Sequence, residues 1–173
     1  MPLSKITLSS LFLALCMVLP LLTGQIKEIG NALCPMHIPV LLCGFFCGPV
    51  CGFTVGALAP LLRFLLFGMP PILPVGTAMC FELAAYGLVS GLLYRALPQK
   101  KINIYVSLIL AMLTGRIVWG TAMVVISTLG KSAFGWQAFI AGAFLNAIPG
   151  IIIQIVLIPV LVAVIKRNTA NSY

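Results

Sequence analysis

The chain has 173 residues, 62% apolar and only 7% charged, with ten Lys and Arg against two acidic residues, and its mean hydropathy is +1.21. Soluble domains run about 45–50% apolar and about 25% charged, so a water-soluble globule, a disordered tail and a secreted disulfide scaffold are all excluded. The basic residues stand singly between apolar blocks, as in the loops of an inner-membrane protein, and build no basic face with interleaved aromatics of the kind that binds nucleic acid.

In chain order, the first apolar block runs from Ile6 to Thr23. The following Gly24-Gln25-Ile26-Lys27 offers no small-x-small cleavage site, so the block reads as a membrane span rather than a signal peptide. The segment from Pro39 to Gly68 admits two readings. As one long helix it gives five spans and places Arg95, Lys100, Lys101, Lys166 and Arg167 outside. Broken at Gly48-Pro49, it gives a short second span, Ile38 to Gly48, of about 15–17 Å at 1.5 Å per residue, and a third over 51–67. All those cations are then cytoplasmic, which the positive-inside rule favours. So short a span must be sheltered by protein. Arg63, toward the outer end of the third span, can snorkel outward.

The remaining spans are Gly76 to Ala96, Ile102 to Thr128 and Trp136 to Ile165. The last two exceed the roughly 20 residues a bilayer requires, so they tilt, kink or project, and Pro149 and Pro159 favour a bend. The expectation is one all-α membrane domain over 1–173. It has six transmembrane helices (about 6–23, 38–48, 51–67, 76–96, 102–128 and 136–165), with both termini cytoplasmic. Glycine recurs every four residues at Gly44, Gly48, Gly52 and Gly56, a spacing that lets helix backbones approach closely. The outer loops are 24–37, 68–74 and 130–135, the first two of them long or proline-stiffened, which points to recognition on that face.

Cys16, Cys43, Cys47, Cys51 and Cys80 lie within apolar spans, where cysteine behaves as a small apolar residue, and no C-x-x-C motif exists. Cys34, Met36 and His37 cluster in the first outer loop, but one His and one Cys are a thin basis for a copper(I) site; no metal is assigned.

Charged groups inside a bilayer cost roughly 2.5–3.5 kcal/mol each on insertion scales, so Glu82 and Arg116 demand explanation. Glu82 lies about 9 Å below the outer end of the fourth span, and Arg116 near the middle of the fifth. Helical spacing puts Met79 and Tyr86 on the face of Glu82 and Trp119 on that of Arg116. Asn146, in the sixth span, falls at similar depth, whereas Gln154 reads as deeper, toward the cytoplasm. Together with His37 at the loop-to-span junction, these groups would suit a small, partly aromatic, polar solute entering from outside. The other reading of Glu82 and Arg116 is a structural ion pair bracing two helices. His37 reads equally well as a capping residue.

These residues resemble the S components of energy-coupling factor (ECF) transporters, the small vitamin-binding membrane subunits of prokaryotes. The likeness covers nearly the whole chain. It rests on six spans, on His37-Ile38-Pro39-Val40 entering a short second span, and on Gly48-Pro49-Val50-Cys51-Gly52 at the inner turn. Gly68-Met69-Pro70-Pro71, Phe81-Glu82-Leu83-x-x-Tyr86-Gly87 and Gly115-Arg116-Ile117 complete it. The resemblance implies a multi-pass subunit of a prokaryotic cell membrane that captures a water-soluble vitamin or related micronutrient. A separate transmembrane T component and two ATPases, which use ATP, would drive uptake, and this chain would carry no cofactor. Solute would bind under the outer loops through Glu82, Arg116, Asn146, Trp119, Tyr86, Met79 and His37. The family docks its partner through small residues four apart on the first helix; here the matching positions read Ser10 and Ala14, with serine in place of the usual alanine.

The alternative is a stand-alone secondary carrier using Glu82 as a proton-linked acid. No nucleophile–base pair or metal set supports an enzyme, and no catalytic residue is assigned.

Overall fold

The computed structural model describes residues 3–22, 33–98, 100–129 and 148–170. Asn146, Trp136 and most of the first and third outer loops therefore lie outside the described residues. The described chain is all-helical: α1 (Leu3–Leu22), α2 (His37–Cys47), α3 (Pro49–Phe67), α4 (Thr77–Ala96), α5 (Lys101–Leu129) and α6 (Ile148–Ala170). Five of these are long and apolar enough to cross a membrane, and α2 is a shorter apolar helix. Arg95, Lys100, Lys101 and Lys166 mark one end of the bundle, the inner end by the positive-inside rule.

The long segment of uncertain reading is broken at Gly48. Its amide bonds back to the carbonyls of Cys43 (3.3 Å) and Gly44 (3.1 Å), and its φ of 98° lies in the left-handed region that glycine adopts at little cost. Pro49 then opens α3 at a position whose amide would be unpaired in any case. Arg95 closes the turn: its Nη2 donates to the Cys47 carbonyl at 3.2 Å, and its guanidinium occupies the space a Gly48 side chain would need. A cation at a helix C-terminus satisfies an orphan carbonyl and opposes the helix dipole.

The short α2 is sheltered, as its length requires. It packs against α1, α3, α4 and α6, and His37, Pro39 through Phe45, and Cys47 are all buried. The glycines make this possible. A Cβ on Gly44 would collide with the Ser90 hydroxyl and the Gly87 carbonyl, one on Gly52 with the Gly87 carbonyl, and one on Gly56 with the Leu83 carbonyl. Both α2 and α3 thus lie backbone to backbone with α4, the helix at the centre of the packing.

Contacts fix the directions. His37 meets Tyr86 and Phe45 meets Tyr94, so α2 and α4 run parallel. Gly52 meets Gly87 and Gly56 meets Leu83, so α3 runs antiparallel to them. At the outer end, Gly68 caps α3 in the left-handed conformation, its amide bonded to the Phe64 carbonyl at 2.8 Å. The short connection Ile72–Gly76 follows, with Leu73 extended.

Arg63 extends toward the outer end of α3, where its guanidinium lies over the Phe67 ring at 5.2 Å; it is buried, and its Nη1 donates to the Met17 carbonyl of α1 at 3.1 Å, so the side chain ends on protein. The bond ties α3 to the outer half of α1.

Candidate functional site

Three helices and one turn place the polar side chains. On α4, Glu82 and Tyr86 are four residues apart and share a face; both are fully buried. On α5, Gly115 lets that helix lie against the Tyr86 ring, where any Cβ would sit 3.0 Å from the ring carbons. The next residue, Arg116, thereby comes to Glu82. At the head of α2, the amide of His37 bonds to the Cys34 carbonyl at 3.1 Å, and this turn aims the imidazole at α4. Cys34 itself has φ 47°, uncommon for a residue other than glycine.

The groups meet as one cluster. Arg116 Nη1 stands 2.9 Å from Glu82 Oε1, His37 Nε2 stands 3.5 Å from the same oxygen, and Arg116 Nη2 stands 3.7 Å from Cys34 Sγ. His37 packs edge-on to Tyr86, with ring centroids 5.1 Å apart. Glu82 is 1% exposed, so its charge depends on the guanidinium beside it. Yet neither approach to Glu82 is aligned as a hydrogen bond. Glu82 Oε1 is held by the ion pair with Arg116, whereas both ring nitrogens of His37, Arg116 Nε and, its approach to Glu82 apart, the Tyr86 hydroxyl make no aligned hydrogen bond. Each such buried group costs about 1–3 kcal/mol, and their convergence at one level of the bundle is uncommon in a folded protein.

Of the residues singled out in the sequence, Glu82, Arg116, Tyr86 and His37 are brought together. Met79 is half-buried on the Glu82 face and packs against the core. Trp119 is half-buried one turn from Arg116 on α5, and Asn146 lies outside the described residues. Ser10 and Ala14 are exposed on α1; the Ser10 hydroxyl donates to the Ile6 carbonyl at 3.0 Å within its own helix. Cys34, weighed in the sequence only as a soft-metal ligand, turns out to be a neighbour of Arg116. Among the described residues no three His, Cys, Asp or Glu side chains converge as a metal site.

An apolar helical bundle enclosing such a cluster is the build of a multi-pass membrane protein. The family model of the ECF transporter, substrate-specific component, matches residues 4–162, and the chain belongs to that family, one of transport subunits rather than of enzymes. Comparisons with curated proteins and with solved structures gave no match.

Proposed function

We propose that this chain captures a small water-soluble vitamin or related micronutrient at the outer face of a prokaryotic cell membrane. It would hand the solute to an importer completed by a transmembrane T component and two ATPases. The observation that carries the reading is the cluster of His37, Glu82, Tyr86 and Arg116, buried together with hydrogen-bonding atoms unmatched. A structural ion pair alone would satisfy Glu82 and Arg116 and leave no reason for idle donors and acceptors on His37 and Tyr86. A solute bound between them would satisfy these atoms.

Glu82 and Arg116 would orient the polar part of the solute, and Tyr86, His37 and Trp119 its aromatic part. Met79 and Asn146 would complete the lining. Ser10 and Ala14 expose a small-residue face on α1 where a partner helix could approach closely, and there the T component would dock. Solute capture needs no chemistry from this chain; ATP would act only on the partner subunits.

Mass spectrometry of small molecules retained by the detergent-purified protein tests the reading. A specific solute is expected in wild type and lost in Glu82→Gln. A wild-type protein that retains nothing, or a Glu82→Gln variant that retains the same compound equally, would overturn it.

A further inference from the structure

Gln154 is 1% exposed, and neither its side-chain oxygen nor its nitrogen has a hydrogen-bond partner. From the sequence it reads as lying deeper than the charged cluster. The inner end of the bundle supplies a better ruler. Lys166 Nζ of α6 lies over the Tyr94 ring of α4, 5.9 Å from its centroid. Glu82 precedes Tyr94 by twelve residues, and Gln154 precedes Lys166 by the same twelve. Each backbone position is therefore about 18 Å along its helix from that contact at 1.5 Å per residue; the contact is made by the tips of two long side chains, so the count puts Gln154 in the same outer half of the bundle as Glu82.

Its direction follows from the face it occupies. Gln154 shares the inward stripe of α6 with Ile158 and Val162, both fully buried, at helical spacing. α6 packs against α5 and α2, the helices that carry Arg116 and His37. An apolar residue there would satisfy packing without leaving an amide unpaired.

We propose that Gln154 is a specificity-determining residue of the same site, reading the adjacent carbonyl and N–H of a lactam edge on an uncharged heteroaromatic solute. This rests on the solute-binding reading above. The carboxamide offers one donor face and one acceptor, so it pairs with such an edge through two complementary hydrogen bonds. The charge follows from the neighbours: Glu82 is already matched by Arg116 at 2.9 Å. A solute carrying a net charge would enter unpaired, at a cost that a neutral ring avoids. Tyr86, His37 and Trp119 supply the flat surfaces for that ring.

Gln154→Met keeps the volume and removes the idle amide, so it is expected to fold with an unchanged or higher Tm. The test is equilibrium binding of wild type and Gln154→Met to two sets of probes. The first is uracil, hypoxanthine and riboflavin, neutral rings with a lactam edge; the second is nicotinate, pantothenate and thiamine, which are charged. Wild type is expected to bind at least one of the first set and none of the second, and Gln154→Met to lose at least about tenfold in affinity, two hydrogen bonds' worth. Gln154→Asn, which keeps the amide on a shorter stem, checks the result should the methionine variant not fold, and it too should weaken binding. Equal affinity in wild type and the variants, or selection of a charged probe, would overturn the assignment while leaving solute binding intact. Should wild type bind none of the six, the compound that co-purifies with it decides. A charged compound, or one without a lactam edge, overturns the assignment alone, and no compound at all overturns the binding reading with it.

Discussion

His37 and Tyr86 meet edge to face, their planes at 72° and their ring centroids 5.1 Å apart. The contact joins the first residue of α2 to the middle of α4, and it leaves the imidazole nitrogens and the phenolic hydroxyl without aligned hydrogen bonds. Packing is satisfied at this point and hydrogen bonding is not.

Tyr86→Phe separates the two. It keeps the ring against His37 and Gly115 and deletes only the idle hydroxyl, so Tm should hold or rise. Affinity for the co-purified solute should fall about three- to tenfold, as for one lost hydrogen bond. Thermal unfolding and titration on one preparation check this; a fall in Tm with unchanged affinity would make the hydroxyl structural.

Arg116→Ala leaves the Glu82 carboxylate buried and unpaired, which costs about 3–5 kcal/mol. The variant should show a much lower Tm. Combining it with Glu82→Gln should recover much of the lost stability without restoring solute binding. A double-mutant cycle on Tm and affinity measures both; purely additive stability effects would mean that the two side chains do not depend on each other.

Gly52→Ala and Gly87→Ala each drive a methyl group into the facing backbone of the α3–α4 contact, and overpacking of this kind costs about 1–3 kcal/mol or more. Gly68→Ala meets no atom within 4 Å and bears only the left-handed backbone cost, about 1 kcal/mol. Thermal unfolding should therefore rank the first two well below the third.

Arg63→Met removes the donor to the Met17 carbonyl while keeping an unbranched side chain. It should lower stability by about 1–3 kcal/mol and leave solute affinity unchanged, because Arg63 braces α1 against α3 and does not touch the Glu82 cluster. A change in affinity larger than the change in stability would refute that division.

Ala14→Trp projects a large ring from the exposed face of α1. Solute binding by the isolated protein should survive, whereas ATP-driven uptake in vesicles with the T component and ATPases should be abolished. Uptake at the wild-type rate would show that α1 is not the coupling surface.

Several of these features were legible in the residues and others were not. The break at Gly48-Pro49 was visible because glycine and proline dictate backbone geometry locally, and because the scattered cations balance only with that break. Glu82 and Arg116 were visible because a charge in an apolar run has few innocent explanations. Arg63 was legible in part: a cation near a span end extends toward that end, but the α1 carbonyl on which it lands is announced by no local pattern. The partnership of Cys34 with Arg116 needs a left-handed backbone at Cys34, which nothing in a cysteine side chain foretells.

The glycine-lined seat of α2 bears on how the polypeptide is built. Eleven residues are too few to hold a place among lipid tails alone, and a large part of the surface that receives them belongs to α4, synthesised later. Until the ribosome has delivered Gly87, Ser90 and Gly91, the hairpin of α2 and α3 has no finished berth. The burial of α2 is therefore completed only once α4 has joined α1 and α3 around it.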